Sequence, residues 1–313
     1  MRWLALRASA LCAAAGAAAA GAAFGAAAGP RAPEAGVDAA FDAAASPRAP
    51  AAAEAFDAVA ANRTLHLAFA SFCGAASLQR WDCTWCKSTG ADVELLAFLN
   101  STEYGTQGYV GLDFAGARLV VAFRGSSDVR NWIEDADIAT EQFAPAPPGV
   151  VVHAGFNRAY SSLRGDMLKA LEAGVEKCPS CKVLFTGHSL GAAMALLAAA
   201  ECAARGLNAT LFNFGQPRVA GDAFNAWAAP LLGSIVRVVR ERDVVPHAPP
   251  KLAGYEHMPR EVWNRFDDSG ETFVVCDAQD GEDARCSDSE LDFSAQAHVH
   301  YLGFRGPHAD DKC

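Results

Sequence analysis

The chain has 313 residues, 51% apolar and 20% charged, which suits one large α/β domain with extensions rather than two full domains. Its formal net charge of -10 at neutral pH argues against nucleic acid as a partner. The acidic residues are spread along the chain, as on a solvated surface.

Residues 1–28 carry Arg2 and Arg7, no acidic residue, and an Ala- and Gly-rich apolar stretch from Ala8 to Ala28. A basic start, an apolar middle and small residues read as a secretory signal peptide, with an organelle transit peptide or an uncleaved anchor as alternatives. The stretch is a poor membrane span, and no other segment is long and apolar enough to cross a bilayer, so no transmembrane span is expected in the mature chain. Residues 29–53 are Ala/Pro-rich without core-forming periodicity and read as a linker or propeptide. The globular domain is expected over 54–313, opening on a helix over 54–72.

Next come a strand–turn–strand pattern, Tyr109–Phe114 and Ala117–Phe123, and then Arg124-Gly125-Ser126-Ser127. From Asp128 to Asp135, Val129, Trp132 and Ile133 share a face at i, i+3, i+4, with charges opposite. This is either a surface helix resting on the core or a lid that covers a site in water and turns outward at a lipid surface. Phe156–Lys177 has helical spacing. Lys182–Thr186 is a buried-strand pattern, followed by Gly187-His188-Ser189-Leu190-Gly191 and then a helix-forming run, Ala192–Ala204, of mostly Ala, Leu and Met. In a G-x-S-x-G string between strand and helix, the serine sits on a sharp turn that exposes its hydroxyl, and Ser189 reads as a nucleophile. Thr210–Phe214 and Ser234–Val239 are further strand patterns. Strands alternating with helices imply a mainly parallel sheet covered on both faces, with the site beyond the C-terminal ends of the strands.

A serine nucleophile needs a base, an orienting acid and oxyanion donors. Asp243 sits just past the strand ending at Val239, where the acid belongs, with Glu241 and Asp222 as competitors. His247, His257, His298, His300 and His308 are candidate bases. His247 lies in a Pro-bounded turn, His257 in the second half of an expected hairpin and His308 in a polar tail. Spacing does not separate His298 from His300. Ser126 and the N–H of Leu190, at the helix N-terminus, are the oxyanion donors.

Nine cysteines remain after Cys12 leaves with the leader. Cys83/Cys86 and Cys178/Cys181 are C-x-x-C pairs, Cys276 and Cys286 flank an acidic loop, and Cys73 and Cys313 lie near the domain ends. That permits four bridges and leaves Cys202, on the apolar helix, as a buried thiol. The rival is a zinc site built from the two C-x-x-C pairs. The sequons at Asn62, Asn100 and Asn208 are compatible with secretion.

The strings FRGSSDVRNWIED, VVHAGFNRAY, FTGHSLGAAMA, FNFGQPRVAGDAF, RERDVVPHAPP and AHVHYLG occur in order, and together they resemble the class 3 lipases, the filamentous-fungal triacylglycerol lipase family. The resemblance covers roughly residues 65 to 313 and implies an α/β-hydrolase fold with a short helical lid. It implies His298 rather than His300 as the base, because His298 opens the family's final His-x-x-Tyr-x-Gly string. It implies Ser126 as the oxyanion residue and Trp132 as the lid tryptophan. By the same resemblance Cys73 pairs with Cys313 and Cys83 with Cys86, leaving Cys178–Cys181 and Cys276–Cys286. His153, His188 and His247 also stand in the family strings and read as structural. Ala192 stands where many members have a further Gly, and the Ala/Pro-rich segment has no counterpart. The charges Asp128, Arg130, Glu134 and Asp135 make the lid polar, which argues against strong interfacial activation.

The function expected is a secreted, monomeric serine ester hydrolase acting on acylglycerols through a Ser189–Asp243–His298 triad, without metal or organic cofactor. Transient contact with the lipid–water interface would be made through the lid. The alternatives are an esterase on soluble or cell-wall esters such as feruloyl esters, a phospholipase or galactolipase, and a non-catalytic lipid-binding module on a hydrolase fold.

Overall fold

The computed structural model describes residues 56–126, 138–267 and 270–307. The expected leader and linker lie outside them. In chain order the strands are β1 (Val93–Ser101), β2 (Thr106–Asp113), β3 (Arg118–Phe123), β4 (Thr140–Gln142), β5 (Val151–His153), β6 (Lys182–His188), β7 (Ala209–Phe214), β8 (Ser234–Arg240), β9 (Glu261–Asp267), β10 (Gly270–Val275), β11 (His300–Tyr301) and β12 (Phe304–Arg305). The α-helices are α1 (Ala58–Ala70), α2 (Ala75–Arg80), α3 (Thr84–Ser88), α4 (Ala154–Lys177), α5 (Leu190–Ala204), α6 (Asp222–Ala228) and α7 (Ala295–His298).

Eight strands form one sheet in the order β1-β2-β3-β6-β7-β8-β9-β10. The five from β3 to β9 run parallel, and antiparallel pairs finish both edges. Alternation along β3 explains the layers. Leu119, Val121 and Phe123 pack in the cluster that holds Met167 and Leu171 of α4 and Met194 and Leu197 of α5. Val120 and Ala122 pack on the other side, with Leu67 and Ala70 of α1. A strand apolar on both faces is the mark of a sheet covered on both sides.

The expected first helix is α1, which starts at Ala58 because the Asp57 carboxylate accepts from the N–H groups of Val59 and Ala60, both at 3.0 Å. The predicted strand–turn–strand is β2–β3. His257, expected in a hairpin, instead lies in the loop before β9, and β9 forms its hairpin with β10. Among the described cysteines, Cys83–Cys86, Cys178–Cys181 and Cys276–Cys286 are bonded. Each C-x-x-C pair therefore closes on itself, which removes the zinc alternative. Cys73 is disulfide-bonded, and its expected partner Cys313 lies outside the described residues. Cys202 is a buried free thiol.

Helix α5 carries one buried charge. Glu201 is fully buried and accepts from the hydroxyl of Tyr160 at 2.7 Å, from Arg164 at 2.7 and 2.5 Å and from Arg205 at 2.9 and 2.6 Å. Burial alone would raise its pKa, but these donors outweigh it and hold the carboxyl below its ordinary value.

Candidate active site

At the end of β6 the chain turns sharply into α5. Ser189 adopts φ 59° and ψ -128°, a strained conformation for a residue with a side chain. The glycines on either side allow it. A Cβ on Gly187 would lie 2.3 Å from the backbone carbon of Gly191, and one on Gly191 would lie 2.1 Å from the Phe123 carbonyl oxygen. Strand, helix and the end of β3 thus meet backbone to backbone. Ala192 is fully buried and accommodated, its carbonyl accepting from Asn213 Nδ2 at 2.8 Å. The Ser189 N–H donates to the Phe214 carbonyl at 3.1 Å, which ties the elbow to the end of β7.

Asp243 follows β8, and its carboxylate is fully buried. One oxygen accepts from the Val245 N–H at 2.9 Å. The other accepts from the Tyr301 hydroxyl at 2.5 Å and from His298 Nδ1 at 2.8 Å. Burial pushes this carboxyl up, but His298 and the two further donors prevail and leave it below its ordinary pKa. An ionised carboxylate only accepts, so His298 carries its proton on Nδ1. Its Nε2 is buried and makes no hydrogen bond.

The elbow and the Asp243–His298 pair adjoin. Gly215, with φ +54°, follows Phe214, and a Cβ there would lie 2.9 Å from His298 Cε1 and from the Tyr301 hydroxyl. His188, the residue before Ser189, stacks on His298 with ring centroids 4.4 Å apart. On the opposite side, a Cβ on Gly125 would lie 3.3 Å from Ser189 Cβ, so Ser126 follows directly from a residue in contact with the serine. Leu190 opens α5.

The other candidates fall elsewhere. Glu241 pairs with Arg240 at 3.2 Å, and Asp222 stands in the first turn of α6. His247 lies against Phe293, with ring centroids 4.2 Å apart. Buried His257 donates from Nε2 to the Pro246 carbonyl at 2.7 Å. The His300 Nδ1 lies 3.2 Å from the Gln296 carbonyl. His308 and the lid residues Val129, Trp132 and Ile133 lie outside the described residues. Two residues at the site, Tyr301 and Gly215, carried no expected role, and His188 was expected only as a structural residue. Tyr301 and His188 stand in strings already singled out, but their contacts are long-range. Gly215 is recognisable only once a ring is seen to fill its side-chain space.

A parallel sheet with a serine elbow at the end of one strand and a His–Asp pair beyond another defines an α/β-hydrolase. Residues 120–253 match the lipase (class 3) family. A lipase of Rhizomucor miehei is 36% identical over 229 residues, covering 71% of this chain and 62% of that protein. A secreted mono- and diacylglycerol lipase of Fusarium solani is 32% identical over 204 residues, covering 64% of this chain and 61% of that protein. The matched stretch thus spans about three fifths of these relatives' length. A solved triacylglycerol lipase whose catalytic centre is formed by a serine protease triad superposes with a TM-score of 0.74 at 33% identity, covering 80% of this chain and 96% of that one. Lipase II from Rhizopus niveus superposes at 0.73 with 27% identity, covering 80% and 96%. The chain belongs to the class 3 lipase family. No helix among the described residues is long and apolar enough to cross a membrane.

Proposed function

We propose that the protein is a secreted serine hydrolase of acylglycerol esters, with Ser189 as nucleophile, His298 as base and Asp243 as the acid that orients it. One observation carries this reading. A buried Asp243–His298 hydrogen bond leaves the far ring nitrogen unpaired, and the His298 ring stacks on His188, which directly precedes a serine held at φ 59°. His298 Nε2 takes the proton as the Ser189 hydroxyl attacks the ester carbonyl. Asp243 keeps the base in the Nδ1–H tautomer and stabilises the imidazolium. The tetrahedral oxyanion is met by Ser126 and by the N–H of Leu190, with the N-terminus of α5 aimed at it. His298 then protonates the leaving alcohol, and water releases the acyl group by the reverse sequence. These steps need no metal or organic cofactor. Val129, Trp132 and Ile133 are the lid face that meets the lipid–water interface, and the protein acts as a monomer. Relatives that are lipases and secreted acylglycerol lipases support the substrate class and the compartment.

Hydrolysis of a triacylglycerol emulsion and of a soluble short-chain ester, each beside Ser189→Ala, tests this. Both activities should fall by at least about 10⁴-fold in the variant. Ser189-dependent hydrolysis of the soluble ester alone would move the substrate to non-lipid esters. No Ser189-dependent hydrolysis of either would overturn the acyl-transfer reading.

A further inference from the structure

The G-x-S-x-G turn leaves its second position free, yet in this protein that position holds a residue tied twice to the base. The His188 Nε2–H donates to the backbone carbonyl of His298 at 2.8 Å. The two imidazoles also stack, with centroids 4.4 Å apart and planes 30° apart. Phe69 and Tyr301 meet the His188 ring edge-on at 5.9 and 5.3 Å, and the residue is 7% exposed.

His298 needs such support. It ends α7, a single turn of four residues. The last carbonyls of a helix have no partner within it, and the His298 carbonyl is one of them. The Nδ1 bond to Asp243 fixes one point of the ring but leaves it free to pivot about that bond. A ring lying against its face removes the pivot.

The geometry points to His188 as a positioning residue for His298: it pairs the carbonyl that ends the helix and lies against the ring, setting the plane in which Nε2 meets Ser189. This inference rests on His298 being the base. Burial, and next the neighbouring His298, pull the His188 pKa down to about 3, against the smaller pull of Asp243 and of its bond to the His298 carbonyl. His188 therefore stays neutral with its proton on Nε2. A proton taken from Ser189 remains on His298, beside Asp243.

Two variants separate the contacts. His188→Gln keeps an N–H donor and loses the ring, whereas His188→Phe keeps a ring and loses the donor. Hydrolysis of p-nitrophenyl butyrate is followed with active sites counted by covalent phosphonate titration, so misfolded molecules drop out. Both variants should lose about 10- to 100-fold in kcat per titrated site, with KM little changed, because the base is misplaced rather than removed. In proton NMR of the resting enzyme, the low-field resonance of the Asp243–His298 hydrogen bond should shift or broaden in both and vanish in Asp243→Asn. An unchanged kcat per site together with an unchanged resonance, even alongside a lowered Tm, overturns the proposal. A wild-type protein inert to both ester and phosphonate would overturn the acyl-transfer reading instead, and the resonance alone would then decide whether His188 sets the His298 ring. If one variant does not fold, the other decides.

Discussion

The two halves of the site are held by different physics. Around Ser189, backbone packs on backbone: β6, the start of α5 and the end of β3 approach so closely that two positions admit no Cβ. Around Asp243 and His298, the chain is mostly irregular, and distant side chains tie it down. Arg218, 3% exposed, grips Glu282 with two hydrogen bonds of 2.8 and 2.7 Å and donates to the carbonyls of His247 at 2.7 Å and Pro249 at 3.2 Å. Arg237, fully buried, donates to the carbonyls of Met258 at 2.7 Å and Gly281 at 2.9 Å. The Cys276–Cys286 bridge closes the acidic loop that supplies Glu282 and Gly281. Ser189 is thus fixed by short-range backbone packing, and the loops around Asp243 and His298 by buried arginines that bond to neither of them.

The largest expected effect is chemical. Asp243→Asn cannot hold both the His298 Nδ1–H and the Tyr301 hydroxyl as a carboxylate does. The kcat on a soluble ester should fall about 10⁴-fold, while far-ultraviolet circular dichroism stays unchanged. A loss below about 10-fold would remove Asp243 from the mechanism.

On the nucleophile side, Gly191→Ala should cost about 3 kcal/mol or more in urea unfolding, because a Cβ 2.1 Å from the Phe123 carbonyl must move backbone on a neighbouring strand. Ala192→Gly, one residue on, should cost no more than about 1 kcal/mol, as a helix glycine does. Equal costs at the two positions would mean that the elbow is not held by close approach.

On the other side, Arg218→Met should destabilise by about 3 kcal/mol, since it leaves the Glu282 carboxylate, 13% exposed, with only the His257 N–H and removes the donor from two loop carbonyls, while Asp288 keeps Lys251. It should also lower kcat, although Arg218 bonds to neither Asp243 nor His298. A variant that unfolds more easily yet keeps full kcat would show that the Asp243 loop does not depend on this clamp.

This contrast also explains what the sequence revealed. Ser189 could be read from five residues, because the turn demands glycine on both sides of it. The parallel strands β6, β7 and β8 stood out as short β-rich runs, and Asp243 could be read from its place after β8. His298 and His300 could not be separated by spacing. Two residues apart in α7 and its continuation, they point in different directions, so one is fully buried against Asp243 while the other lies near the Gln296 carbonyl at the surface. Edge strand β1 was not foreseen because its pairing is interrupted by an irregularity between Leu95 and Ala97. The roles of Arg218, Arg237 and Tyr301 left no local trace, because each acts on residues far away in sequence.

The smallest effect separates the two halves by pH. His257, beside the Arg clamps, is held well below its ordinary pKa by burial first and then by the charges of Arg237 and Arg218. His188, at the elbow, is held at about 3. In both cases the unfolded chain takes up a proton near pH 6.5 and the folded chain does not. The stabilisation is therefore complete above that pH and is lost as pH falls towards the folded-state value, at about 1.4 kcal/mol per pH unit for each histidine. His257→Gln keeps an N–H donor for the Pro246 carbonyl and removes one of the two linkages. Its unfolding free energy should fall less steeply than that of the wild type between pH 6 and pH 4, by about 1.4 kcal/mol per unit. Parallel curves would mean that His257 is already protonated in the folded protein, and that the Arg-clamped loops tolerate a further positive charge that their geometry gives no means to hold.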